Sequence, residues 1–288
     1  MLPAMTAKPR VAIVGAGRLG RTLTVELRRA GYTISEIVSR NTAASKRKAR
    51  ELARKVEAHA TTPENPRLAA DLVWFCVPDR EIARVSRQLA SFVDWKEKTA
   101  FHSSGALASD ELKALRRRGA AAASVHPLMT FVTRSMPSLR GVPFAVEGDA
   151  RAVRAARQIV RDLGAEAFTI REEHKAAYHA WGAFSSPLLV ATLATGEQLA
   201  RAAGLSAIQA RKKMLPIVRQ TIANYETLGP SGAFSGPIVR GDADIVRRHL
   251  RVLSSVPGAK QVYLALMRAA LRYLPARNRS RLRKALQL

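Results

Sequence analysis

Residues 11–20 read Val11-Ala12-Ile13-Val14-Gly15-Ala16-Gly17-Arg18-Leu19-Gly20, an apolar run that passes directly into a glycine-rich turn. The residues beyond the turn carry one apolar helix stripe at Leu19, Leu23 and Leu27. A short strand, glycines in G-x-G-x-x-G spacing and a helix are the parts that cradle a pyrophosphate. Gly15 permits the tight turn, Gly17 lets backbone N–H groups approach the anion, and Gly20 allows the helix to pack closely on its strand. The spacing predicts a dinucleotide site built from Gly15, Ala16, Gly17, Arg18, Leu19 and Gly20.

A second strand is expected over Tyr32–Ser39, and its end decides which dinucleotide fits. An acidic residue there would accept hydrogen bonds from ribose hydroxyls, as NAD sites require. This chain has Ser39-Arg40-Asn41 instead. A carboxylate repels a 2′-phosphate, whereas a guanidinium grips it through charge-assisted bonds. NADP is therefore expected in preference to NAD, with Ser39, Arg40 and Asn41 in contact with it. Arg18 and either Lys46 or Arg47 are candidates to add to the positive field.

At 288 residues and 47% hydrophobic content the chain has room for two domains with separate cores. It has no apolar run long enough to span a bilayer, and Met1–Arg10 lacks a signal-peptide core. Cys76 is the sole cysteine, which excludes an internal disulfide and suits a reducing cytoplasm. It falls within an apolar strand and reads as buried filler. The formal charge of +26 raises the question of nucleic acid. Residues 1–144 hold 25 basic and 12 acidic groups and residues 145–288 hold 23 and 10, so the excess is spread evenly. With neither zinc-finger spacing nor an RNP-like aromatic pattern, no specific nucleic-acid partner is expected.

Strand and helix signals alternate as far as Ile170. Strands are expected at Leu72–Val77, Thr99–Phe101, Ala122–Val125, Pro143–Val146 and Ala167–Ile170, and helices at Thr42–Val56, from about Arg80, at Ser109–Arg118 and at Ala150–Leu163. Asp79 and Ser109 suit helix caps. From Arg171 the grammar changes to alanine- and leucine-rich helical stretches at Glu172–Ala203, Ser206–Leu228, Asp242–Leu253 and Ala259–Leu274, followed by a basic tail. The expectation is a doubly wound, Rossmann-type α/β domain over residues 1–170 and an all-α substrate and dimerisation domain over residues 171–288.

Ligands of open α/β sheets sit beyond the carboxyl ends of the strands. Three polar clusters fall there: Val77-Pro78-Asp79, His102-Ser103-Ser104-Gly105 and His126-Pro127. Val77, Pro78 and Ser103 are candidate cofactor contacts. Ser103 and Ser104 can donate hydrogen bonds to a carboxamide or a substrate carboxylate, or can form an ordinary turn. His126, of a residue type that titrates near neutrality, is a candidate proton donor or, at a strand end before proline, equally a structural hydrogen-bonding residue. Lys175, Tyr178 and His179 share one helix face, either as the wall of a cleft or as a solvated surface. The scattered histidines complete no metal shell.

Several segments together resemble the Rossmann-like/DUF2520 oxidoreductases, which are allied to the 6-phosphogluconate dehydrogenase-like superfamily and related to ketopantoate and pyrroline-carboxylate reductases. They are Val77-Pro78-Asp79, residues 102–107, Ser124-Val125-His126-Pro127-Leu128, residues 144–148, Lys175-Ala-Ala-Tyr-His179 and Ser235-Gly236-Pro237-Ile238-Val239-Arg240-Gly241-Asp242. The resemblance implies an N-terminal NAD(P) domain, a helical domain that also makes a homodimer, and an active cleft between them. One departure is Pro187, at a position where the pattern leads one to expect Asn. The reading that follows is an NADPH-dependent reductase of a small carbonyl or imine compound bearing a carboxylate. Lys175 or His126 would stabilise and protonate the substrate oxygen, Ser103, Ser104 and His179 would touch substrate, and Arg240 and Asp242 would either touch it from the helical side or form an intrachain ion pair between helices. The alternative is an NADP-binding sensor or scaffold without turnover.

Overall fold

The computed structural model describes residues 8–133 and 135–287. Eight strands form one sheet: β1 (Val11–Val14), β2 (Ile34–Val38), β3 (His59–Thr61), β4 (Leu72–Phe75), β5 (Thr99–His102), β6 (Ala121–Pro127), β7 (Pro143–Gly148) and β8 (Glu166–Thr169). Their order is β3-β2-β1-β4-β5-β6-β7-β8. All neighbours run parallel except β6 and β7, whose antiparallel pairing sets Val125 opposite Val146. Helices α1 (Arg18–Arg29), α2 (Ala43–Val56), α3 (Asp79–Leu89), α4 (Lys113–Arg116) and α5 (Ala150–Asp162) make the connections. The first six strands follow the doubly wound order, with its switch point between β1 and β4.

Every residue of β1 is buried because helices cover both sides of the sheet. Val11 and Ile13 pack on one side with Leu23 and Leu27 of α1, while Ala12 and Val14 pack on the other with Ile82 and Leu89 of α3. This two-sided pattern is what alternation of side chains along a strand produces when both faces are covered. Trp74, Phe75, Phe101 and Phe144 are fully buried, and each such side chain stabilises the fold by roughly 2–3 kcal/mol.

The structure departs from the sequence expectation at several elements. Strand β3 is too short and too exposed to show alternation. The segment expected as one helix over Ser109–Arg118 is a 3₁₀ turn, Ser109–Leu112, followed by the single turn of α4. Ser109 is no cap, since its amide and hydroxyl both donate to Glu147, at 2.6 and 2.9 Å. Asp79 is the first residue of α3 rather than its cap, and it accepts a 2.8 Å bond from Ser104 Oγ. Strand β8 starts and ends one residue earlier than expected.

The chain divides into two compact units, residues 1–183 and 184–288. Helix α6 (Lys175–Ser185), expected to open the second domain, thus lies for most of its length in the first unit. The second unit holds α7 (Pro187–Ala202), α8 (Ala207–Ala233), α9 (Pro237–Arg240), α10 (Ala243–Leu253), α11 (Ala259–Tyr273) and α12 (Arg279–Leu286). Pro187 sits in the first turn of α7, where a missing N–H has no consequence. Helix α12 occupies the stretch that reads as a basic tail. Its Leu282 and Leu286 are buried against Val246, Met267 and Leu271, while Arg281, Arg283 and Lys284 face solvent. No helix of the described residues is long and apolar enough to cross a membrane.

Candidate functional site

Three glycines of the β1–α1 turn meet three different constraints. A Cβ on Gly15 would lie 2.6 Å from the Cys76 carbonyl oxygen, and its φ of +110° disfavours any other residue. A Cβ on Gly20 would stand 1.9 Å from the Gly15 carbonyl oxygen, so α1 could not approach its strand. Gly17 differs from both. Its φ is −74°, and the nearest atom to a Cβ there is 4.0 Å away. Neither the backbone nor the packing of this chain calls for glycine at position 17.

The turn opens onto a cleft of about 640 Å³ at the switch point. Gly15, Ala16, Gly17, Ser39, Arg40, Asn41, Val77 and Pro78 all line it. Leu19 packs on the core beneath the turn. Arg18 donates to the Phe131 carbonyl at 3.1 Å and lines a neighbouring groove. Lys46, one of the residues expected to add positive charge, bonds Asn41 Oδ1 at 2.9 Å, and Arg47 pairs with Glu51 at 4.0 Å. Lys48 is the α2 cation that lines the cleft. The helical register could have separated Lys48 from its neighbours, but only once the start of α2 at Ala43 was fixed. Cys76 also lines the cleft, and burial raises its thiol pKa, which keeps it protonated and unreactive.

A second group of side chains gathers where β5, β6 and α6 meet. Lys175 is 1% exposed, and its ammonium donates to Ser124 Oγ at 2.7 Å and to the Ser104 carbonyl at 3.2 Å. Burial lowers its pKa, opposed by Glu147, Asp79 and Glu172. Ser104 Oγ donates to Asp79 and accepts from the amides of Ala106 and Leu107, which fills its bonding capacity. Its expected role in holding substrate therefore has no free group to act through. Ser103 Oγ accepts a 2.8 Å bond from Trp74 Nε1 and keeps its own proton to donate. His102 is fully buried, with Nε2 against the Ala108 carbonyl at 2.9 Å and Nδ1 accepting from the Ser104 amide at 3.1 Å. Burial lowers its pKa to about 4.

His126 Nδ1 lies 2.7 Å from the Tyr178 hydroxyl, and its ring stands 6.4 Å from that of His179. Burial, then Lys175, His179 and His102, lower its pKa to about 4. Both histidine rings close on Gly105, where a Cβ would come within 2.9 Å of His126 Nε2 and of His179 Cδ2. Tyr178, one of three residues expected on a shared helix face, is buried with Lys175, whereas His179 is exposed. In the second unit Arg240 and Asp242 pair with each other at 2.9 Å. Among the described residues no three His, Cys, Asp or Glu side chains stand together as a metal site requires.

Sheet order, glycine turn and cleft define a Rossmann-type α/β unit, and the chain couples it to a helical one. Residues 4–127 match the Rossmann-like domain family, and residues 142–270 match the family described as a domain of unknown function, DUF2520. The chain thus carries a Rossmann-like domain followed by a DUF2520 domain. No curated protein matches it. A Bacteroides fragilis protein provisionally assigned as an NADP oxidoreductase is 24% identical with a TM-score of 0.77, over 91% of this chain and 98% of that one. The reductive aminase from Aspergillus terreus, in complex with NADPH and ethyl-5-oxohexanoate, is 17% identical with a TM-score of 0.67, over 96% and 99%. A variant imine reductase from Myxococcus stipitatus, in complex with NAD+, is 18% identical with a TM-score of 0.66, over 98% and 100%. At these identities the likeness establishes a shared fold.

Proposed function

We propose that this chain is an NADPH-dependent reductase of a small carbonyl or imine compound bearing a carboxylate. The observation that carries this is Gly17. A glycine that neither its φ nor its neighbours require leaves open the space that a pyrophosphate needs to reach backbone amides at the start of α1. Arg40 and Lys48 line the same cleft and form no ion pair among the described residues, as holders of a 2′-phosphate should. Bound there, the dinucleotide supplies the hydride chemistry. The reductive aminase in complex with NADPH and the imine reductase in complex with NAD+ support the cofactor class and leave the phosphate preference to Arg40 and Lys48.

His126 is the side chain best placed to meet charge developing on the substrate. It is partly exposed and stands at the carboxyl end of β6. Lys175, enclosed by Ser104 and Ser124, contributes its positive charge from behind. The groups acting on His126 are Lys175, His179 and His102, with no carboxylate among them, which favours an anionic substrate over a cationic one. Ser103 has a hydroxyl proton free to orient a carboxamide or acid. The enclosure of Lys175 favours one rival, a nucleotide sensor without turnover. Loss of reduced-nicotinamide absorbance with 2-oxo acids and cyclic imino acids, compared with uncharged ketones, decides between them: turnover of the acids supports the reductase, and tight binding with no turnover supports the sensor.

A homodimer is part of the proposal. Helix α7 has no buried residue and α8, which is broken by a kink at Gly229, has one, Ala210, while Leu188, Val190, Ile217, Ile222, Tyr225 and Leu228 are exposed. So much bare apolar helix on two adjacent elements suits the self-complementary interface that two copies of one chain can form.

A further inference from the structure

Tyr178 is buried, yet the reductase reading gives it no task. Burial raises its pKa, so the phenol keeps its proton. A buried O–H needs an acceptor, and among the described residues the hydroxyl's hydrogen-bond partner is His126 Nδ1, at 2.7 Å. If the imidazole instead carried its proton on Nδ1, the phenol oxygen would accept it and the phenol O–H would turn to where no described residue offers an acceptor. The arrangement that satisfies both groups within the protein has Nδ1 accepting.

The opposite nitrogen is free. His126 Nε2 has no protein partner among the described residues, none of which leaves a buried side-chain nitrogen or oxygen unsatisfied, so Nε2 reaches open space. Gly105 keeps that space clear, since a Cβ there would lie 2.9 Å from Nε2. His102 forms the contrast: both of its nitrogens are spent on Ala108 and Ser104.

We infer that Tyr178 is a positioning residue that fixes the tautomer of His126, donating to Nδ1 so that the neutral ring presents an Nε2–H to the reacting oxygen or nitrogen of the substrate. The catalytic half of this statement rests on the reductase reading, whereas the tautomer does not. The titratable groups facing His126 are Lys175, Tyr178 and His179 of α6 and His102 of β5. None is a carboxylate, so no anion facing the ring holds an imidazolium in place of the neutral donor.

Nitrogen-15 NMR of the full chain labelled at histidine tests the tautomer without cofactor or turnover, with His126→Gln used to assign the signal. The expected result is a neutral Nε2–H ring at pH 7 in the wild type and a shift toward Nδ1–H, or a mixture, in Tyr178→Phe. A wild-type ring protonated on Nδ1, or an unchanged tautomer in Tyr178→Phe, overturns the inference. On the active protein, Tyr178→Phe is expected to lower kcat by about tenfold or more, toward the ~10²-fold typical of a lost acid–base group, with the KM for NADPH unchanged. An unchanged kcat overturns the catalytic half. Absence of NADPH binding would instead remove the reductase reading and leave the tautomer standing.

Discussion

The Gly15 carbonyl oxygen occupies the place a Gly20 side chain would need, 1.9 Å from its Cβ position, whereas Gly17, between them in the turn, has no atom nearer than 4.0 Å. The two glycines should therefore fail differently on substitution. Gly20→Ala must push α1 off its strand and is expected to cost about 3 kcal/mol or more, read as a lower urea midpoint. Gly17→Ala should leave that midpoint within about 1 kcal/mol and weaken NADPH binding instead. Equal losses of stability in both variants would contradict this division of labour.

Arg40 and Lys48 line the cleft on the side where β2 ends. Arg40→Asp places a carboxylate against the 2′-phosphate and should weaken NADPH by at least tenfold more than NADH, with Lys48→Met causing a smaller loss in the same direction. Calorimetric titration of both cofactors checks this. Equal weakening of the two would reject the 2′-phosphate assignment.

His102 is held neutral in the fold, with a pKa lowered to about 4 by burial, while the unfolded chain takes up a proton near its ordinary value. Between those values the unfolded state binds more protons, so the contribution of His102 to stability falls as pH drops from about 6.5 toward 4, by at most ~1.4 kcal/mol per pH unit, and His126, lowered alike, adds to the slope. Urea midpoints at pH 7.5 and pH 5 measure it. A wild type with equal midpoints, or a slope undiminished in His102→Gln, would contradict the burial argument.

Lys175 is one of the charges that lower the His126 pKa, after burial itself. Lys175→Met removes that charge and keeps the bulk, so His126 should titrate at higher pH than the wild type while staying below its ordinary value. Turnover should fall by about 10²-fold. An unmoved His126 titration would show that the ammonium does not act on the ring, and unchanged turnover would remove Lys175 from the chemistry.

Ile217 and Leu228 of α8 are exposed in the single chain. An aspartate at either position should convert a dimeric mass to a monomeric one in light scattering while leaving the circular dichroism unchanged. A wild type that is monomeric at micromolar concentration would contradict the dimer.

The sheet was legible because β1, β4 and β6 are apolar runs ended by turn residues, and because the glycines at 15, 17 and 20 tie one strand to one helix. Strand β3 was not legible, since three mostly exposed residues carry no period. Helix α12 is masked in the sequence by its arginines, and its apolar signal is only Leu282 and Leu286, four apart. At the cleft, Arg40 could be read from its place after β2, but Lys48 depended on where α2 begins. Around His126, the residue types stood out in the sequence. Which of them is enclosed, Lys175 and Tyr178, and which reaches solvent, His126 in part and His179, depends on contacts of α6 with β6 and with the loop after β5 between residues 51 to 71 apart in the chain.

Direct calorimetric titration of purified protein with NADPH, repeated on Gly17→Ala, is the most direct test of a dinucleotide lying across the β1–α1 turn. The expected result is saturable one-site binding to the wild type, at least tenfold weaker in a Gly17→Ala variant of undiminished stability. No binding of NADPH or NADH by the wild type, or equal affinity in the two proteins, would contradict it.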